Sequence, residues 1–278
     1  MAFQFPEFGL LAIAIMLAML SGGIDLSIVG IANLSGILAA RILTTLVPAA
    51  TPTQAALYSA LAFVVSLGVG VICGLVNGVL IAEVGITPIL ATLGTMQLYT
   101  GIAIVMTKGR AIYGFPEWFT FIGNGSVLGI PIPFIVFAVF CVIFAVILNR
   151  TSYGFKLYML GTNPTASRFS GINNVRVLLR TYILSGFLSA ASGLVVMART
   201  NSAKADYGTS YTLQVILIAV MGGVNPNGGF GNIFGLVLAI LTLQFLSSGF
   251  NMLRFSNFFK EFLWGAVLLL VMVVNYVS

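Results

Sequence analysis

Residues 8–40 read FGLLAIAIMLAML, SGGIDLS, IVGIANLSGILAA: two uncharged apolar runs joined by seven residues that hold two glycines and one carboxylate, Asp25. A membrane helix needs about 20 apolar residues, within a range of about 17–25. Both runs are shorter than that, so flanking residues must extend them. The join reads either as a break between two helices, close to the hydrocarbon, or as a loop at the membrane surface. Asp25 is the most informative residue in it, because a carboxylate at that depth costs roughly 2.5–3.5 kcal/mol on insertion scales and needs donors, a counter-ion or water. Two roles follow: a residue lining a polar pathway or holding a helix break together, or a carboxylate in a loop at the membrane surface that caps the helix beginning near Ile28.

Working outward, the same apolar texture recurs. Further runs cover about Ala55–Ala82, Pro88–Met106, Pro131–Leu148, Val177–Ala198, Leu213–Met221, Ile233–Leu246 and Phe262–Val277. The chain has 278 residues, 59% hydrophobic and 6% charged, with a mean hydropathy of +1.11. Soluble domains carry about 25% charged residues, so a water-facing surface cannot be made from this set. The reading is all-α: a polytopic transmembrane helical bundle of about nine hydrophobic segments, forming a single transmembrane domain over residues 1–278. Strands are not expected, since barrel strands alternate over about ten residues and these runs are apolar on every side. No Lys or Arg precedes Arg41, so the first run lacks the positive region of a cleavable signal and reads as a retained membrane segment.

The net charge of +6 rests on twelve basic residues. Five of them, Arg150, Lys156, Arg168, Arg176 and Arg180, fall within 150–180, a stretch without an acid. Short basic loops stay on the cytoplasmic side, so 150–175 is expected inside, 108–130 and 199–211 outside, and the C-terminus inside. That explains the charge without nucleic acid. The second break pairs with the first: Gly222-Gly223-Val224-Asn225 resembles Gly22-Gly23-Ile24-Asp25, and the region 222–231 is the second expected broken helix. Paired glycine-interrupted segments point to inverted repeats and a midplane pathway.

Other polar residues interrupt the runs. Asn77 lies beside Gly70, Gly74 and Gly78, whose spacing by four puts small residues on one helix face for close packing; a helix–helix bond is its better explanation. Gln97, with Thr100 one turn on, is a candidate to line a path for a hydroxyl-rich solute. Asp25, Asn77, Gln97 and Asn225 together are the pathway candidates. Within the basic loop, Asn163-Pro164 marks a helix start and Gly171 its end, so 164–170 reads as a short helix, either suited to docking a partner or simply part of a positively charged topological loop.

Absences narrow the function. There is no histidine, which removes the commonest general base and metal ligand. Cys73 and Cys141 sit in apolar runs as packing residues, and no metal cluster is present in the sequence. No G-x-x-x-x-G-K-[ST] occurs, so the chain carries no P-loop ATPase. The six acids stand singly, with Asp25 alone placed as a candidate inside the bundle, which argues against proton coupling. The residues leave open a driven permease or an ATP-independent channel or facilitator, and show no catalytic constellation for an intramembrane enzyme.

Four blocks then carry a resemblance across nearly the whole chain: Gly22-Gly23-Ile24-Asp25-Leu26-Ser27; Asn77-Gly78 with Thr92-Leu93-Gly94-Thr95; Gly161-Thr162-Asn163-Pro164 with Ser170-Gly171-Ile172; and Met221-Gly222-Gly223 through Gly228-Gly229-Phe230-Gly231. The chain resembles the permeases of ribose-type, binding-protein-dependent ABC importers, which also serve xylose, galactosides and autoinducer-2. The resemblance implies a multi-pass permease of the bacterial inner membrane that works by alternating access. Its implied partners are a second permease copy or paralogue, a separate ABC ATPase holding ATP and Mg, and a periplasmic or lipid-anchored sugar-binding protein. It makes Gly161, Asn163, Arg168 and Gly171 the candidates for coupling to the ATPase. Three features depart from the pattern. Ile28-Val29-Gly30 stands where Val-Gly-Ser is usual, Ser167 stands where a second alanine is common, and a further hydrophobic segment is expected before the first motif. That tenth helix would give a cytoplasmic N-terminus.

Overall fold

Nine helices answer the nine apolar runs one for one in the computed structural model of the protein, which describes residues 5–48 and 50–277. They are α1 (Phe5–Leu20), α2 (Ile28–Thr45), α3 (Pro52–Ala82), α4 (Pro88–Thr107), α6 (Ile132–Arg150), α9 (Asn174–Thr200), α10 (Tyr211–Met221), α11 (Ile233–Met252) and α12 (Asn257–Val277). Three short helices lie between them: α5 (Glu117–Asn124), α7 (Ser152–Thr162) and α8 (Pro164–Phe169). Among the described residues, six helices are long and apolar enough to cross a membrane, while α1, α10 and the 262–273 part of α12 are shorter apolar helices.

Two small antiparallel ladders qualify the expectation of no strands. Strand β1 (Ile112–Tyr113) pairs with β4 (Ser202–Ala203), and β2 (Ser126–Val127) with β3 (Ile130–Pro131). Each strand is two residues long. They tie loops together and do not alter the all-α class.

The two helices with unusual surroundings position everything else. From Phe8 on, helix α1 is apolar all round, and every residue from Leu10 to Leu20 is buried; such a helix belongs inside a bundle. It packs against α9, α10, α6 and α11. Helix α9 is the second hub, packed on α3, α1, α2 and α5. Its buried Ser185, Ser189, Ser192 and Gly193 let these neighbours approach closely. A Cβ placed on Gly70 would meet the Gly186 carbonyl and Ala190; one on Gly74 would meet the Tyr182 carbonyl; one on Gly78 would meet Leu179. The two backbones are therefore in direct contact along α3 and α9.

Connections sort to two ends. Gly23 lies against Pro88, and Gly161 lies against Leu20 and Gly229, so the 21–27 break, the start of α4, the end of α7 and the 222–231 turn share one end. At the other, Arg41 Nη2 donates to the Met106 carbonyl at 2.5 Å, β1 pairs with β4, and Arg199 pairs with Glu7. The end bearing the basic 150–180 stretch is called inner below, and its opposite outer.

The candidate coupling element and the two membrane breaks

The basic loop folds into a compact two-helix element. Thr151 caps α7, its Oγ1 accepting from Gly154 N at 3.4 Å. Asn163 ends α7 and caps α8: its Oδ1 accepts from Thr165 N and Ala166 N, both at 3.0 Å, and Pro164 occupies the first helical turn, where its missing N–H costs nothing. Gly171, at φ +79°, turns the chain after α8, a conformation that favours glycine. Asn173 then caps α9 through Arg176 N at 3.0 Å. Ser167 is buried; its Oγ donates to Asn174 Oδ1 at 2.8 Å, and Asn174 Nδ2 donates to the Pro164 carbonyl at 2.8 Å. So α8 is stitched to the start of α9, and the serine that departs from the family pattern makes one of the stitches.

What this element leaves outside is an apolar and cationic surface. Arg168 and Gly171 are exposed, Phe169 is 89% exposed, and Phe155 and Lys156 face out beside them. Gly161 and Asn163 do different work. Gly161 is buried against the Leu20 carbonyl and Gly229, and Asn163 is an exposed cap.

The first break is organised around Asp25. Helix α1 has 16 residues, about 24 Å at roughly 1.5 Å per residue, against a hydrocarbon core of about 30 Å. The break therefore falls within reach of the hydrocarbon, where non-helical backbone survives only if protein covers it. Asp25 is 0% exposed. Its Oδ1 accepts from Ser27 N at 3.0 Å and Ser27 Oγ at 2.6 Å, and its Oδ2 accepts from Ser185 Oγ at 2.7 Å. Asn77 Nδ2 donates to Ser27 Oγ at 2.7 Å. Three segments thus share one buried network: the break, α3 and α9. Thr92 on α4 adds a fourth, accepting from Leu26 N at 3.1 Å. Ser27 is the N-cap residue of α2, without a side-chain cap bond; Asp25 takes up the Ser27 N–H from two residues away.

The four pathway candidates do not form one site. Asp25 and Asn77 meet through Ser27 in that fully buried junction. Gln97 is exposed on α4, among apolar side chains that include Leu93 and Leu98. Asn225 shapes the second break: its N–H donates to the Phe230 carbonyl at 2.9 Å, its Oδ1 accepts from Asn227 N at 2.9 Å, and its carbonyl accepts from Gly228 N at 3.0 Å. That turn flanks an open cleft of about 490 Å³ lined by Val224, Pro226, Phe230 and Met272.

Sequence reasoning missed three residues. Tyr158 bridges the two inner elements, its hydroxyl donating to the Gly231 carbonyl at 2.7 Å. Phe169, 89% exposed, is the most prominent apolar group of the candidate coupling element. Glu7 corrects the view that Asp25 is the single acid inside the bundle: it is 1% exposed at the outer end, paired with Arg199, whose side chain is 20% exposed. Arg199 lies 192 residues away, so no local pattern announces the pair.

With this geometry in hand, comparison with known proteins gives a single direction. The family model described as branched-chain amino acid transport system / permease component matches residues 1–272. The autoinducer 2 import system permease protein LsrD of Yersinia enterocolitica (serotype O:8 / biotype 1B) is 33% identical over 276 residues, which are 97% of this chain and 80% of that protein. The LsrD proteins of Salmonella typhimurium (strain LT2) and Yersinia pestis bv. Antiqua (strain Angola) are 34% and 32% identical, with the same coverage. No solved structure matches. Similarity of this extent, on a bundle with six helices able to span a membrane, fixes the class: the chain belongs to the branched-chain amino acid transport system / permease component family, as a multi-pass permease subunit of a bacterial ABC import system, a transport component and not an enzyme.

Proposed function

We propose that this permease imports autoinducer-2 or a closely related sugar-like solute. Its alternating access is driven by a separate ABC ATPase that docks on residues 150–175 from the cytosol and holds the ATP and Mg. The observation that carries the reading is the position of the coupling element. Its outer surface offers Arg168, Phe169 and Phe155 to a partner, while its buried side touches both membrane breaks through Gly161 and Tyr158. A motor gripping that surface is one contact away from the points where the helices are interrupted. The sugar-like solute rests on the LsrD relatives, which match this chain over nearly all its length. A periplasmic or lipid-anchored binding protein would deliver the solute, and a second permease copy or a paralogue would complete the pathway. In that assembly Gln97, an amide on an otherwise apolar exposed face, would find polar surroundings that lipid does not offer. ATP binding can drive the cycle only by binding the two states unequally.

The test is uptake into proteoliposomes that contain this chain, its partner permease and the ATPase, supplied with loaded binding protein. Uptake that needs ATP supports the reading. Arg168→Glu and Gly171→Trp are expected to lower uptake at least tenfold while the chain still inserts. Solute movement through vesicles carrying this chain alone, without ATP, would establish a facilitator instead.

A further inference from the structure

The inner end holds one further junction: three glycine-bearing stretches of the chain whose backbones touch directly. A Cβ on Gly228 would lie 2.8 Å from the Gly161 carbonyl oxygen, 2.9 Å from the Gly161 Cα and 2.9 Å from the Gly22 Cα. One on Gly161 would collide with the Leu20 carbonyl and Gly229, and one on Gly229 with Thr162. A Cβ on Gly22 would sit 3.4 Å from the Asn227 carbonyl oxygen. Gly228 and Gly229 have φ values of +97° and +79°, so the turn needs glycine for its backbone as well as for its contacts. Hydrogen bonds close the junction: Gly229 N donates to the Leu20 carbonyl at 3.1 Å, and Tyr158 Oη donates to the Gly231 carbonyl at 2.7 Å.

We infer that Leu20–Gly22, Tyr158–Thr162 and Gly228–Gly231 form a backbone clasp that stays closed throughout transport, so that the coupling element and both membrane breaks move as one rigid body. The inference deepens the proposed function and rests on it. The physical reason is contact type. A joint made of flexible side chains can slide through alternative rotamers. A joint of backbone on backbone has no rotamers to spend, and each of its three strands is fixed by the other two. Close-packed interiors transmit displacement and do not absorb it. A push on α7 therefore reaches the end of α1 and the α10–α11 turn together. The hinge must lie elsewhere, on the far side of each break.

A cross-link decides this. In a chain carrying Cys73→Ala and Cys141→Ala, Ser21→Cys and Asn227→Cys are introduced on either side of the Gly22–Asn227 contact, and the assembled transporter is assayed before and after joining them with a short bis-maleimide. ATP-dependent uptake by the Cys73→Ala/Cys141→Ala chain without the two new cysteines tests the proposed function by itself, and its absence there would count against that function. Given that activity, the expected result is uptake within twofold after joining. A loss of more than tenfold on joining, with the assembly still intact, would show that the two strands must part and would overturn the clasp. Spin labels on the same two cysteines give a second readout: one unchanged distance with and without ATP supports the clasp, and a change of more than about 5 Å refutes it.

Discussion

Adding one methyl group to α3 tests the packing that organises the bundle. In Gly74→Ala the new Cβ falls against the Tyr182 carbonyl and the Cα of Ile183, both backbone atoms of α9. Neither can rotate away, so the helices must separate. Separation also loosens Gly70, whose facing atoms are the Gly186 carbonyl and Ala190 Cβ. Overpacking of this kind costs about 1–3 kcal/mol. The same substitution improves intrinsic helix propensity by about 0.8–1 kcal/mol, which must be subtracted. Gly68 supplies the control: it lies in the same helix with nothing within 4 Å of its would-be Cβ. Gly68→Ala carries the propensity gain without the clash. The difference between the two variants therefore isolates the packing penalty, about 2 kcal/mol or roughly 30-fold in an unfolding equilibrium. Reversible denaturation in mixed micelles, followed by helical circular dichroism, measures it. If Gly74→Ala is as stable as Gly68→Ala, α3 and α9 do not meet through backbone and the arrangement of the bundle is wrong.

Other perturbations read other parts of the fold. Asp25→Leu strands the Ser27 N–H and the Ser27 and Ser185 hydroxyls in the interior; at about 1–3 kcal/mol per lost partner the variant is expected to fall below detectable folded yield on size-exclusion chromatography, while Asp25→Asn keeps acceptor capacity and retains most of it. At the outer end, Arg199→Ala leaves the buried Glu7 without its cation, and about 3–5 kcal/mol of destabilisation is expected. The double variant Arg199→Ala/Glu7→Gln should recover much of that loss in the same denaturation assay. Asn163→Ala removes both acceptor bonds at the start of α8; about 1 kcal/mol of local stability is lost, so amide exchange at Thr165 and Ala166 should quicken about fivefold while α9 is unaffected.

The secondary structure was legible because lipid makes a blunt demand. Runs without charge had to be helices, and proline and glycine marked their ends: Pro88, Pro164 and Gly171 all stand at observed boundaries. The small-residue spacing on α3 was equally plain, since i, i+4 positions share a face. What could not be read was partnership at long range. Nothing near Asn77 in sequence says that it reaches Ser27, fifty residues away. Nothing near Glu7 names Arg199. The candidate pathway residues show the same limit: polarity marked Asp25, Asn77, Gln97 and Asn225 as unusual, but only the tertiary contacts reveal that the first two share a junction, that Gln97 faces outward and that Asn225 builds a turn. Gly161 was found as part of a motif. Its reason, a backbone contact with Leu20 and Gly229, comes from two other regions of the chain.

Sidedness is the point on which the account stands most directly. In a chain carrying Cys73→Ala and Cys141→Ala, a cysteine at the exposed Thr165 of α8 is treated with a membrane-impermeant maleimide in intact spheroplasts and again after permeabilisation. The account requires that Thr165→Cys is protected in intact spheroplasts and labelled once the membrane is opened, as a surface gripped by a cytosolic motor must be. Full labelling before permeabilisation would place α7 and α8 on the outer side and contradict it.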